Sequence, residues 1–229
     1  VVVRAHDQEL PALPAGVELA EDARPGRGPL HGIAAGLHAI GDRAQVVFVT
    51  GVDLPLLHPA LVRHVLRSLR PEDDVALPHA HGFAQPLAAA YRVAIAPRLD
   101  ELIEQEQEQD RERLGTGALF ETLRVRVLDA GALLADPALA TFDPALDSLV
   151  NVNDPGEYAA ARDRPAPCIT LTMPGDATPQ PLRAATLAAA AAAAGVPLVG
   201  ATIDGHGPVA DPHEPLVAGD ALSFRATSS

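Results

Sequence analysis

Residues 46–57 read VVFVTGVDLPLL. Four of the first five side chains are bulky and apolar, the composition of a strand buried on both faces. Thr50 and Gly51 close that run. Asp53 then appears, followed at once by more apolar side chains. The carboxylate stands just past a strand end, between two apolar runs, and the rest of the chain is read outward from it.

Upstream, Val1–Val3 reads as a short buried strand and Val17–Leu19 as a weaker one. A loop rich in Pro and Gly (residues 21–29) leads to Leu30, Ile33, Leu37 and Ile40 at helical spacing, with Pro29 placed to open the helix. Downstream, His58-Pro59 starts a second helix carrying Leu61, Val62, Val65, Leu66 and Leu69. Asp74–Leu77 and Gln85–Arg92 read as strands. A helix from Pro97 carries Leu99, Leu102 and Ile103 into a polar run, residues 104–112, that suits a solvated helix end or loop. Val125–Leu128 is a strand, and Leu149–Tyr158 a strand end, a turn and a helix starting near Pro155. Alternating strands and helices predict an α/β fold: a three-layer, Rossmann-like, mostly parallel sheet with helices on both faces. Such folds bind ligands at the carboxyl ends of their strands, where Asp53 falls.

Residues 162–167 (RDRPAP) break the pattern and read as a linker. Beyond it Cys168–Met173 is a strand. Thr186 is placed to cap a helix containing the run Ala188–Ala194, which Gly195 stops. Val196–Ile203 and Ala221–Arg225 are later strands. The expected division is residues 1–162, a linker over 163–167, and a small α+β domain over 168–229 in strand, strand, helix, strand order.

Composition narrows the function. Aromatics make up 3% of the chain and Trp is absent, so the core must be aliphatic. A net charge of −13 argues against a nucleic-acid surface. All 17 basic side chains are Arg, so no Walker phosphate loop is present, because that loop needs a Lys. The single cysteine, Cys168, excludes an internal disulfide framework and points to a reducing, cytoplasmic setting. No apolar run reaches the roughly 18 residues of a membrane span, and the start resembles no signal peptide. The first residue is Val rather than Met, which suggests a truncated or misplaced start.

Several residues could carry chemistry. Asp53 suits a turn or helix cap, where a carboxylate accepts backbone N–H groups. Equally it suits a hard-metal ligand, Mg²⁺ held between protein and substrate phosphates. Gly28-Pro-Leu-His-Gly32 precedes a helix, and its glycines would let backbone approach a ligand. Asp22 lies just before it. Asn151 and Asn153 alternate, so in a strand they would face one side; turn scaffolding before Pro155 explains them as well. His79 and His81 lack a third ligand at zinc spacing, and no Ser/His/Asp signature is present.

Taken in order, GPLHGIAAGL (28–37), VVFVTGVDLPLLHPALV (46–62), QPLAAAYR (85–92) and NVNDPGEY (151–158) resemble the molybdenum cofactor guanylyltransferases of the nucleotidyltransferase fold. The resemblance covers about residues 1–162. It implies transfer of GMP from GTP to molybdopterin with loss of pyrophosphate. It implies Mg²⁺ on Asp53, the nucleotide near Asp22, Gly28, Pro29, Leu30, Gly32 and Asp53, and the pterin substrate near Gln85, Asn151 and Asn153. The family's Gly-rich triphosphate loop, with a Lys soon after it, has no counterpart, and Val1 aligns with the family's second strand. Weak or absent activity of the 229-residue chain is therefore expected. Cytidylyl transfer and a non-catalytic adaptor in cofactor maturation are the alternatives. Residues 168–229 more loosely resemble a ubiquitin-like β-grasp module akin to the small subunit of molybdopterin synthase, without its Gly-Gly end. That likeness implies docking to cofactor biosynthesis proteins or molybdoenzymes.

Overall fold

The computed structural model describes residues 1–22, 24, 26–108, 116–173 and 175–225. The expected solvated end of the polar run, from residue 109 on, lies outside them, as do the last four residues. The chain divides into two compact units, Val1–Val152 and Asn153–Ser229.

The first unit begins with β1 (Val2–Ala5) and β2 (Leu19–Asp22), paired in parallel as a two-stranded sheet. Next come α1 (Pro29–Ile40), β3 (Val46–Thr50), α2 (Pro59–Ser68), β4 (Val75–Ala80), β5 (Phe83–Ala84) and β6 (Ala88–Arg92). The unit closes with α3 (Ala96–Glu108), α4 (Thr116–Thr122), β7 (Val125–Leu128), α5 (Ala130–Leu134) and α6 (Pro137–Phe142). In the main sheet β6 lies between β3 and β4, with β7 on the far side of β4 and β5 against its end.

This sheet is mixed: a reversed strand, β6, is inserted among β3, β4 and β7, which run one way. Among its ladder pairs only β4–β7 is parallel, and β6 is antiparallel to both β3 and β4, so β3, β4 and β7 share one direction and β6, with the short β5, is reversed. The cause is the tight turn at His81-Gly82, which folds the chain straight back along β4. A turn this short can join only antiparallel strands.

Period-two alternation divides the strands between two cores. Val47, Val49, Val75, Leu77, Ala89 and Tyr91 pack with residues of α1, α3 and α4. Val46, Phe48, Ala76, Ala88, Ala90 and Leu128 pack with α2, α5 and α6. Ala88, Ala89 and Ala90 are fully buried, and their small side chains let both cores close over β6. Tyr91 is the largest buried side chain; its hydroxyl donates to the Pro86 carbonyl at 2.8 Å, and burial pushes that hydroxyl's pKa far up. β3 is only half-buried despite its apolar composition, since β6 is its sole ladder partner among the described residues.

The second unit holds α7 (Pro155–Arg162), β8 (Cys168–Met173), β9 (Asp176–Arg183), α8 (Leu187–Ala194), β10 (Ala201–Ile203), β11 (His206–Val209) and β12 (Ala221–Phe224). Its strands lie in the order β11-β10-β12-β8-β9, with β12 and β8 parallel and the other pairs antiparallel. Leu187, Ala190 and Ala191 of α8 are buried in its core. Thr186 caps that helix by accepting the Ala189 N–H, and Gly195 ends it at φ 69°. β9 is the second strand that the expected order places before the helix, at residues the sequence reading does not specify, and β11 is absent from that reading.

Asp74 and Arg124 fasten the starts of β4 and β7. The Asp74 carboxylate accepts from the Arg124 guanidinium at 2.7 and 3.1 Å and from its backbone N–H at 3.0 Å. The guanidinium bond is the largest influence holding the Asp74 carboxyl below its ordinary range, against the opposing effect of burial. A depressed native pKa means that this stabilisation is complete above the unfolded Asp value of about 3.9 and is lost as pH falls through the lower native value. Urea denaturation of Asp74→Asn between pH 6 and pH 2.5 should therefore show a shallower loss of stability with acid than the parent chain.

Candidate functional site

The site is built where β3 ends. Gly51 continues the pairing by donating its N–H to the Leu87 carbonyl at 2.9 Å. The chain then leaves the sheet, because Val52 is fully exposed while Leu54 is buried in the core of α2. Asp53, between them, is half-buried. A Cβ added to Gly51 would lie 2.3 Å from Asp53 Oδ1. Glycine at position 51 is what lets the carboxylate fold back over the strand end.

The other carboxylate oxygen is held from a distant part of the chain. Asn151 Nδ2 donates to Asp53 Oδ2 at 2.6 Å, and the Val152 N–H donates to the Asp53 carbonyl at 2.9 Å. Asp53 is thus not simply a turn or cap residue accepting local N–H groups. Among the described residues no donor meets Oδ1.

Gln85 to Leu87 fills the interruption between β5 and β6. The Gln85 N–H donates to the Pro78 carbonyl at 2.8 Å, its carbonyl accepts from Ala88, and Leu87 receives Gly51. An interrupted strand of this kind re-aims side chains beside functional sites. It ties the end of β3 to β4 and brings Gln85 to the same end of the sheet as Asp53.

The segment that delivers Asn151 is fixed from within. The Asp143 carboxylate accepts from the N–H groups of Asp147 at 2.6 Å and Ser148 at 3.2 Å. Ser148 is fully buried, and its Oγ accepts the His58 N–H at 2.9 Å. His58 in turn caps α2 through Nδ1 and stacks on Phe142 with ring centroids 5.9 Å apart.

The remaining candidates are placed differently. Asp22 is the last residue of β2 and accepts the Arg24 N–H at 2.8 Å. Gly28 precedes α1 at φ 109°, a left-handed value that requires glycine. Pro29 is the first helical residue, Leu30 is buried, and the space beside Gly32 is open. No hydrogen bond or ion pair joins this group to Asp53 among the described residues. Residues 151–153 form no strand, so the two amides are not paired on one strand face. The Val152 N–H goes to Asp53 rather than to a ladder. Asn153 falls in the second unit, where its N–H donates to Glu157 at 2.7 Å. Gly51 and Ser148 are missed by sequence reasoning; for Gly51 the signal was there, a glycine two residues before the carboxylate.

The carboxylate fits Mg²⁺. That ion usually takes one or two protein carboxylates, keeps several waters, and completes its shell with substrate phosphates. Asp53 offers one braced oxygen and one without a donor. Among the described residues no three His, Cys, Asp or Glu side chains gather into an all-protein metal cage, and no helix is long and apolar enough to cross a membrane.

A family model described as the MobA-like NTP transferase domain matches residues 1–122, more than half of the chain, and the chain belongs to that family. A probable molybdenum cofactor guanylyltransferase of Bacillus licheniformis is 31% identical over 121 residues, 51% of this chain and 57% of that protein. One of Mycobacterium tuberculosis is 36% identical over 104 residues, 44% of this chain and 50% of that protein. The chain therefore spans about half the length of the curated relatives it matches. A crystal structure of molybdopterin-guanine dinucleotide biosynthesis protein A from Archaeoglobus fulgidus aligns with a TM-score of 0.47 and 26% identity, over 63% of this chain and 66% of that one.

Gly51→Ala is expected to swing the Asp53 carboxylate off Asn151 while the fold persists, because the clashing atom is the end of a side chain. The loss of stability should stay below about 3 kcal/mol, the upper value of a hydrogen bond to a charged group. Loss of the protected Asn151 side-chain amide signal in NMR spectra, with the denaturation midpoint lowered by no more than that loss accounts for, is the expected result.

Proposed function

We propose that the first unit is a three-layer nucleotidyltransferase domain that transfers GMP from GTP to molybdopterin. The observation carrying this reading is the Asp53 carboxylate, held over Gly51 and braced by Asn151 at 2.6 Å. Mg²⁺ bound there would neutralise phosphate charge and orient the triphosphate. An oxygen of the acceptor's terminal phosphate would bond to the α-phosphorus as the bond to the bridging α–β oxygen breaks and pyrophosphate leaves. Chemistry of this kind rests on positioning and charge neutralisation. Asp53 contributes the anionic anchor and Asn151 its orientation. The open space beside Gly32 and the left-handed backbone at Gly28 suit close approach of a nucleotide, with Asp22 at its edge. Gln85 is assigned to the pterin substrate.

Residues 1–229 hold no Lys and no Gly-rich triphosphate loop. The proposal is therefore that these residues alone bind the metal–nucleotide through the Asp53 half of the site and transfer GMP poorly. The second unit is proposed as a β-grasp docking module. Its strand order supports this: a hairpin, a helix, and a last strand parallel to the first at the centre of the sheet.

A ligand that binds only the native state raises its stability, by about 2.7 kcal/mol at a hundred times its dissociation constant. Mg²⁺ with GTP should raise the melting temperature of the chain, and Asp53→Asn should remove that rise while leaving the ligand-free midpoint nearly unchanged. An equal rise in both proteins would contradict the assignment. Robust Mg²⁺-dependent formation of guanylated pterin by residues 1–229 would contradict the expected impairment.

A further inference from the structure

We propose that His81 is a positioning residue for Asp53, acting through the loop that carries Asn151; the proposal rests on Asp53 being the metal-binding carboxylate. His81 forms the tip of the β4–β5 hairpin with Gly82, at φ values of 55° and 85°. Two successive positive φ angles are the turn that favours Asn, Asp or Gly in its first place. His is a less comfortable occupant, so turn geometry alone does not account for it. Its imidazole reaches across 65 residues of sequence to place Nε2 3.1 Å from the carbonyl of Leu146. A carbonyl can only accept, so the ring is held with its proton on Nε2.

The bond lands on the other non-glycine residue of the first unit that has a left-handed backbone among the described residues. Leu146 has φ 54° and is buried beside Leu54 and Leu149. A side chain with a Cβ is held there only where its surroundings over-determine it. Those surroundings are visible. The Leu146 N–H donates to the Asp143 carbonyl at 2.9 Å, and its carbonyl receives the Leu149 N–H at 3.0 Å as well as His81. Two residues beyond Leu149, Asn151 meets the Asp53 carboxylate. His81 is thus the link from the β4–β5 hairpin to the loop that orients Asp53. Asn151 is the outer partner that orients the carboxylate, and His81 holds the loop that presents it.

The test compares His81→Gly and His81→Asn with the parent in the full 229-residue chain. Both substitutions tolerate the left-handed backbone, and both remove the ring N–H. Removing the direct outer partner of a metal ligand typically weakens metal affinity by about 10–100-fold, and loosening the loop that presents Asn151 should give the lower end of that range. The expected result is an unchanged or raised melting temperature and about tenfold faster solvent exchange of the Asn151 side-chain amide. A Mg²⁺–GTP dissociation constant raised about tenfold should accompany it. His81→Gln, which returns an amide N–H at similar reach, should restore slow exchange at Asn151. A role confined to the hairpin would leave Asn151 exchange untouched in every variant, and that result overturns the proposal. The exchange measurement needs no ligand. Faster exchange in His81→Gly, in a chain whose parent shows no Mg²⁺–GTP binding, would uphold the link and overturn the metal assignment instead.

Discussion

The Asp53 carboxylate sits where it does because Gly51 has no side chain and Asn151 has an amide. The first fact is steric and local: any Cβ at position 51 would occupy the space of Oδ1. The second is long-range, a hydrogen bond across 98 residues of sequence. A hydrogen bond to a charged group contributes about 1.5–3 kcal/mol, enough to select one rotamer of a short side chain. Around this pair, the interruption at Gln85–Leu87 ties the end of β3 to β4, and the bonds of Asp143 and Ser148 deliver the Asn151 segment. The result is one fixed acceptor at the end of a strand, oriented before any ligand arrives. Pre-orientation of this kind is what transfer between phosphates requires of a protein.

Much of this was legible in the sequence. Val46–Thr50, Val125–Leu128 and Cys168–Met173 are strands over the residues their apolar runs predict. Pro29, Pro59 and Thr186 open their helices, and Gly195 ends the last one. Each signal is local, a matter of periodicity or of a cap. The misses have physical causes too. The bounds of β9 escape the sequence reading because it contains Pro179 and Pro181, which argue against a strand, yet it lies at the edge of its sheet, where proline is tolerated. The mixed character of the main sheet depends on the sharp turn at His81-Gly82, in which a His stands where Asn or Gly is usual.

The site divides in the same way. Asp53 stood out by its neighbours, an apolar run on either side. Its partner did not, because nothing in the spacing of Asn151 and Asn153 shows that one meets a carboxylate 98 residues away. Alternation suggested two amides acting together. Instead Asn151 serves Asp53, and Asn153 belongs to the second unit. The charge pattern is consistent with the division of labour. With a net charge of −13 and no Lys in the chain, the proposed nucleotide site would need a cation to bring a triphosphate to a carboxylate.

The central claim is that Asp53 is the metal-facing group of a nucleotide site. Paramagnetic relaxation by Mn²⁺, added in place of Mg²⁺ with GTP, reads the position of the ion directly. The account predicts that broadening centres on the amides of Gly51, Val52 and Leu54 and on the Asn151 side chain, and that it disappears in Asp53→Asn. Broadening centred elsewhere, or unchanged by that substitution, would contradict it.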